Sequence, residues 1–195
     1  MAIIIKQCLD DGMLPDYNCN PCGVSEKGRV RGACYIEKSL KNELIKENLE
    51  SVSWWKQQIE AGLIKIIPTT RGTSDGGTPV AVTGYGNEAE KMTGKDFVVV
   101  VNDRNHKGNA EFYAALEVNR NRFIFGFRTG SQLRIATDKI TNLSVQDPVE
   151  EDVNSDVTWN ATVTWRQNVP QTTIPIYTLT DEIEELFENC IEVEQ

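Results

Sequence analysis

Residues 157–165 alternate strictly between apolar and polar side chains, and this alternation constrains the fold more than any other feature of the sequence. Val157, Trp159, Ala161, Val163 and Trp165 occupy every second position, with threonine or asparagine between them. Side chains of a β-strand point alternately to its two faces, so the pattern predicts a strand with one buried face. We assign the valines and tryptophans of this set to the structural core.

Strand-like segments fill most of the remaining sequence. Apolar runs bounded by turn residues indicate strands near residues 29–36, 63–68, 80–86, 96–101, 122–128, 131–136, 140–149 and 174–179. The run 69–79 is rich in glycine and threonine and predicts a loop. Apolar spacing predicts a short helix over 108–119, and carboxylates near its start favour a helix over 181–188. The expected fold class is α+β, mainly antiparallel β, with one packed helix and long loops.

We expect three segments along the chain: an extended N-terminal arm (1–27), a β domain (28–179) and an acidic C-terminal helix (180–195). A helical insertion interrupts the β domain near residues 39–62, and its clearest helix covers 53–61. Trp54 and Trp55 are adjacent on that helix, where neighbouring positions point in different directions. We therefore expect one of the two to contact another subunit; the alternative is that loops cover both.

Acidic side chains exceed basic ones by 29 to 20, which gives the chain a net charge of −9. Such a protein repels a phosphate backbone, so tight binding of DNA is not expected. No apolar run approaches the ~20 residues that a membrane helix needs. Residues 1–6 have neither the length nor the basic region of a secretory signal. We therefore expect the partners to be other proteins, and we expect no association with a membrane.

Cys8, Cys19, Cys22 and Cys34 crowd the first fifth of the sequence, and Cys190 lies near the other end. Cys19 and Cys22 form a CxxC, which supplies one half of a typical zinc site, but a second such pair is missing from the sequence. We expect free thiols in a reducing cytoplasm, with no metal and no cofactor. A zinc-stapled module that binds a protein partner is the alternative function.

The sequence does not favour an enzyme. His106 is the only histidine, so a catalytic triad would have to include it, and its neighbours are typical of a surface turn. Glu150 and Glu151 could divide acid and base roles, but adjacent carboxylates in a polar turn usually stay solvated. We assign no catalytic residue, and a small hydrolase is the least favoured alternative.

A series of short motifs follows in order along the chain. They are Cys-x-x-Cys-Gly at 19–23, Val-Arg-Gly-Ala-Cys-Tyr-Ile at 30–36, Thr-Gly-Tyr-Gly-Asn-Glu at 83–88, Phe-Tyr-Ala-Ala-Leu at 112–116 and Phe-Arg-Thr-Gly at 127–130. This order is similar to that of tail-tube-like virion proteins of phages that infect Bacteroides relatives. The ring proteins of crAss-like phages are the family that it resembles most, over about residues 28–165.

The resemblance implies a β-sandwich or half-barrel whose subunits join edge to edge in a homo-oligomeric ring. That ring would lie in the tail or in a portal-proximal connector and would contact neighbouring tail and portal proteins. It would line the channel through which the genomic DNA leaves, and it would not bind that DNA specifically. The protein would be made in the host cytoplasm and reside in the virion tail. The N-terminal cysteines and the insertion near 39–62 favour a specialised ring or connector over a repeated tube subunit.

Overall fold

The computed structural model describes residues 28–68, 70–86, 89–104, 108–148 and 157–188. Its strands are β1 (Gly32–Glu37), β2 (Ile64–Ile67), β3 (Arg71–Ser74), β4 (Thr78–Val82), β5 (Lys91–Asp103), β6 (Phe123–Arg128), β7 (Gln132–Lys139), β8 (Asn142–Gln146), β9 (Trp159–Asn168) and β10 (Ile176–Thr178). Its α-helices are α1 (Lys46–Leu49), α2 (Val52–Glu60), α3 (Ala110–Val118) and α4 (Asp181–Leu186), and 3-10 helices span Lys38–Glu43 and Arg120–Arg122. This content confirms the α+β class with antiparallel β-structure dominant.

The strands form two antiparallel sheets that pack face to face. One has the order β10-β7-β6-β1-β2, and we call it the covered sheet. The other has the order β3-β5-β9-β8, with β4 also paired to β5, and we call it the open sheet. β3 and β4 pair with opposite halves of β5, on the side away from β9, so they act as one interrupted strand.

The central strands of the covered sheet, β1 and β6, are buried on both faces. Ala33–Ile36 in β1 and Ile124–Arg128 in β6 are all buried. Tyr35 and Phe125 point toward the open sheet, with ring centroids 5.4 Å apart, and Phe125 lies 5.8 Å from the ring of Trp165 in β9. Near-continuous apolar runs such as those of β1 and β6 are the pattern that strands buried on both faces require.

Helices α2 and α4 cover the outer face of the covered sheet. Trp55 of α2 meets Phe187, directly after α4, with ring centroids 5.6 Å apart. Arg128 at the end of β6 is buried; its Nη2 donates to a Glu188 carboxylate oxygen at 2.7 Å, and its Nη1 donates to the Glu184 carbonyl oxygen at 3.1 Å. A buried guanidinium is strongly destabilising without such partners. These contacts anchor the acidic C-terminal helix to the β domain.

The open sheet is buried on one face only. Ala161, Val163 and Trp165 of β9 are fully buried, the threonines between them are half-buried, and Trp159 is half-buried against the core. The predicted burial of Val157 is wrong, because this residue is 42% exposed. Pairing of β9 with β5 begins at Trp159, opposite Asp103, so Val157 precedes the strand that would have buried it.

The run 69–79, expected as a loop, contains β3 and the start of β4. The carboxylate of Asp75 spans the interruption between them, since its Oδ1 accepts hydrogen bonds from the backbone N–H groups of Gly77 at 2.9 Å and Val98 at 3.0 Å. Gly77 has a φ of +91°, and a Cβ there would lie 2.5 Å from the ring of Phe97. Pairing with β5 therefore overrides a composition that is locally typical of a loop.

Other expected elements are confirmed within a few residues. The helix predicted over 53–61 is α2, the helix over 108–119 is α3, and the helix over 181–188 contains α4. The strands on either side of the Thr129-Gly130 turn form the β6–β7 hairpin. None of the helices in the described ranges is long and apolar enough to cross a membrane.

We expect Trp165→Ala to lower the free energy of unfolding by about 3–5 kcal/mol, the range for deleting a large buried aromatic side chain. Trp165 is fully buried, and its ring stacks on that of Phe97 with centroids 5.4 Å apart. Thr164→Ala, on the other face of the same strand, is the control and should change the free energy by less than about 0.5 kcal/mol. Urea denaturation measures both variants, and equal losses would mean that the two faces of β9 are assigned wrongly.

Candidate functional surface

The free face of the open sheet is built from four strands in register. In one row, Thr73 of β3, Val100 of β5, Thr162 of β9 and Ser144 of β8 lie next to one another. We call the whole set the polar face. Its members are Arg71 and Thr73 in β3; Asp96, Val98, Val100 and Asn102 in β5; Asn160, Thr162, Thr164 and Arg166 in β9; and Asn142, Ser144 and Gln146 in β8.

The polar face carries little charge. Its charged members are Arg71, Asp96 and Arg166, two positive and one negative, so the face has a net charge of +1 on a chain whose net charge is −9. Apart from two valines, the other members are threonine, serine, asparagine and glutamine, which have no formal charge. The carboxylates of α4 lie on the far side of the covered sheet. The molecule therefore presents a nearly neutral sheet face on one side and the acidic helix α4 on the other.

Arg166 neutralises the carboxylate of the polar face. The two residues lie opposite each other on β5 and β9, and Arg166 donates from Nε to Asp96 Oδ1 at 2.6 Å and from Nη2 to Oδ2 at 2.8 Å. This is the two-pronged geometry in which guanidinium and carboxylate groups pair best. Hydrogen bonding from Arg166 lowers the pKa of Asp96 from its ordinary value, outweighing a smaller opposing effect of desolvation. The carboxylate therefore stays ionised and paired.

Both lateral edges of the open sheet are partly protected against pairing. On β8, the backbone N–H of Val145 donates to Glu117 Oε1 at 3.3 Å, so a side chain of α3 occupies a donor of that strand. On β4, Pro79 has no backbone N–H to offer to a further strand. Natural sheets use such devices to limit edge-to-edge association. The predicted ring contact through sheet edges stays a prediction.

A buried polar cluster lies at the far end of β5. Asp103 is buried and accepts hydrogen bonds from the Tyr113 hydroxyl at 2.8 Å and from Asn109 Nδ2 at 3.1 Å. Burial raises the pKa of Tyr113 above its ordinary value, and the negative charge of Asp103 and this hydrogen bond raise it further. The phenol therefore stays protonated and donates to the carboxylate. This arrangement fixes the start of α3 against β5.

Trp54 and Trp55 do not form an exposed subunit contact, so that prediction is wrong. They are 9% and 0% exposed, and their rings meet edge to face with centroids 5.6 Å apart. The Trp55 indole N–H donates to the Leu49 carbonyl oxygen at 3.0 Å, and that of Trp54 donates to a Glu43 carboxylate oxygen at 3.2 Å. The segment that precedes α2 folds back over this helix. Through Glu43 it contacts the indole of Trp54, while the indole of Trp55 lies in the core.

Cys34 lies inside the covered sheet and is a poor zinc ligand. Burial raises the pKa of its thiol to about 12, whereas zinc binds the thiolate. Cys8, Cys19, Cys22 and Cys190 lie outside the described residues. Among the residues that the structure does describe, no group of three or more histidine, cysteine, aspartate or glutamate side chains is placed to hold a metal ion.

The residues weighed for catalysis also fall outside the described ranges. His106 belongs to the segment 105–107, and Glu150 and Glu151 belong to the segment 149–156. The expectation that the chain is not an enzyme therefore stays an expectation.

Sequence reasoning missed the pairing of Asp96 with Arg166 and the contact of Glu117 with β8. These partners are 70 and 28 residues apart in the chain. Only the register of β5 on β9 and the packing of α3 on β8 bring them together. No local pattern in the sequence carries that information.

No protein-family model matches this sequence, and no curated protein matches it. Among solved structures, a chain described as part of the tail of an empty GTA particle, computed with helical refinement and C6 symmetry, aligns with a TM-score of 0.32 and 10% sequence identity. The alignment covers 57% of this chain and 90% of that chain. A TM-score this low does not establish a shared fold.

We expect Arg166→Gln to return the pKa of the Asp96 carboxyl toward its ordinary value of 3.8. Because the folded-state pKa is lowered, the pairing stabilises the fold above the unfolded-state pKa, and this contribution is lost as the pH falls through the folded-state pKa. NMR titration of the Asp96 carboxyl carbon measures the change. Arg166→Lys is the matched control, which keeps the charge but loses the two-pronged geometry, and should give an intermediate value. An unchanged titration in Arg166→Gln would contradict the pairing.

Proposed function

We propose that this chain is a structural subunit of a phage tail that assembles into a ring, with the polar face lining a channel for DNA. The observation that carries the proposal is the near neutrality of the polar face across four strands of a strongly acidic chain. A fixed positive surface would bind the phosphates of DNA, and a strongly negative one would repel them. A nearly neutral polar surface does neither, which suits a channel wall that DNA slides past.

The asymmetry of the molecule supports the same orientation. The polar face and the acidic α4 lie on opposite sides of the two-sheet core, so a ring with the polar face inward has its acidic helices outward. Carboxylates on the outside would keep the assembly soluble and hold negative charge away from the passing DNA. The resemblance of the motif order to that of tail-tube-like virion proteins adds support from the sequence. In this proposal the chain has no catalytic role, and its partners are copies of itself and neighbouring tail proteins.

Assembly is the first test. We expect the purified full chain to form closed rings with a central opening in negative-stain images, and light scattering to report a discrete oligomer at micromolar concentration. Rings in which antibodies or tags placed on α4 are seen at the outer rim would support the orientation. A monomer that neither self-associates nor joins tail proteins would overturn the proposal.

We expect Thr162→Lys to turn the assembled ring into a DNA-binding protein, because it places one positive charge per subunit on the channel wall. The affinity for duplex DNA should fall steeply with salt, since each neutralised phosphate contributes about −0.9 to the slope of log K against log salt concentration. Fluorescence anisotropy of a labelled duplex that is short enough to enter the ring measures this slope, and wild-type rings should bind weakly.

Gln57→Lys is the matched control for this experiment. Gln57 is exposed on α2, on the far side of the covered sheet, and the substitution adds the same charge to each subunit. It should leave DNA binding close to that of the wild type. Equal binding by the two lysine variants would show that the polar face does not line the channel.

A further inference from the structure

One row of the polar face is built from a guanidinium and three amides. Arg71 of β3 lies opposite Asn102 of β5, Asn102 lies opposite Asn160 of β9, and Asn160 lies opposite Gln146 of β8. We call these four residues the amide row. Residues directly opposite each other in an antiparallel sheet share a face, with Cβ atoms about 4.5–5.5 Å apart. Since neighbouring strands lie about 4.8 Å apart, the row crosses about 14 Å of the sheet.

The other rows of the polar face have a different chemistry. The next row consists of two threonines, a valine and a serine, namely Thr73, Val100, Thr162 and Ser144. Near the start of β5, Asp96 lies opposite Arg166, and the two side chains neutralise each other. The amide row lies near the other end of β5, which finishes at Asp103. Hydrogen-bond donors without a paired charge are therefore concentrated at one end of the polar face.

Arg71 carries the charge that the polar face leaves uncompensated. Asp96 is the only carboxylate among the members of this face, and it is held by two hydrogen bonds from Arg166. The net charge of +1 on the polar face is therefore located at Arg71, whose side chain is exposed. A guanidinium presents its N–H donors in a planar fork that matches the oxygens of a phosphate. Arg71 is thus the member of the polar face that is best suited to bind a phosphate.

The amides of this row direct donors to the surface. The Thr158 hydroxyl donates to Asn160 Oδ1 at 3.1 Å, which leaves the NH₂ group of Asn160 available to a ligand. Asn102 buries its Oδ1 atom without a partner, so the accessible end of its amide is also the NH₂ group. Gln146 is exposed at the end of the row. Asparagine and glutamine side chains are common donors to the phosphate oxygens of DNA.

We propose that the amide row is a binding site for the phosphate backbone of duplex DNA, present once in each subunit on the wall of the proposed channel. Arg71 binds one phosphate, and the amide NH₂ groups of the row donate to phosphate oxygens beside it. Such contacts carry no sequence information, so the site accepts any duplex. DNA is held at this row and slides past the uncharged rows. This inference rests on the proposed channel, and it identifies where the channel wall contacts DNA.

The first experiment removes the charge of the amide row in Thr162→Lys rings, in which DNA binding is strong enough for its salt dependence to be measured. Adding Arg71→Gln should reduce the slope of log K against log salt concentration by about 0.9 for each phosphate that an Arg71 contacts. Lys56→Gln is the matched control, since Lys56 is exposed on α2 and its loss removes the same charge from the far side. This control should leave the slope unchanged. Fluorescence anisotropy of a short labelled duplex measures all three proteins.

Two results of this experiment have different meanings. Equal slopes with and without Arg71→Gln, or equal losses in Arg71→Gln and Lys56→Gln, would overturn the amide row and leave the channel in place. Thr162→Lys rings that bind DNA no better than wild-type rings would instead overturn the proposed channel.

The second experiment tests the amides in the same Thr162→Lys rings. Asn160→Ala should weaken DNA binding by about two- to tenfold, the effect of losing one hydrogen bond, with an unchanged slope because no charge is removed. Thr164→Ala, on the same face of β9, is the control and should bind like the parent ring. Equal affinities in these two variants would contradict the proposal. Gln146→Ala, at the exposed end of the row, takes the place of Asn160→Ala if thermal melting shows that the latter is unfolded.

Discussion

The burial of β1 and β6, the central strands of the covered sheet, on both faces is the constraint on which the rest of the structure depends. Two layers must be present to bury it: the apolar face of the open sheet, through the contact of Phe125 with Trp165, and helices α2 and α4. The open sheet has no third layer on its other side in the described part of the chain. Its free face must therefore be polar, and the alternation in β9 is the sequence consequence of that position.

Burial on one or two faces also decides what the sequence can predict. β9 alternates and β1 and β6 are continuously apolar, so strands and their facing follow from periodicity alone. β3 and β4 carry no such pattern, and they exist because β5 presents a long partner and Asp75 spans the gap between them. The tryptophans of α2 show a second limit. A helical projection places Trp54 and Trp55 apart, but it does not reveal that the preceding chain folds back to cover one of them.

The candidate surface could be foreseen only in part. The threonines of β9 predict a wet sheet face, but the charge of that face depends on which strands lie beside β9. If the register of β5 against β9 shifted by one residue, Arg166 would lie on the opposite face of the sheet from Asp96. The Asp96 carboxylate would then be unpaired on the polar face. Register is fixed by the buried residues of both strands, among them Val99 and Val163, which lie opposite each other. The core therefore sets the electrostatics of the outer face.

Protection of the sheet edges bears on how subunits join. A subunit with fully open edges on both sides of one sheet would pair without limit and form fibres rather than rings. Here Glu117 occupies a donor of β8, and Pro79 removes one from β4, so neither edge offers a complete ladder.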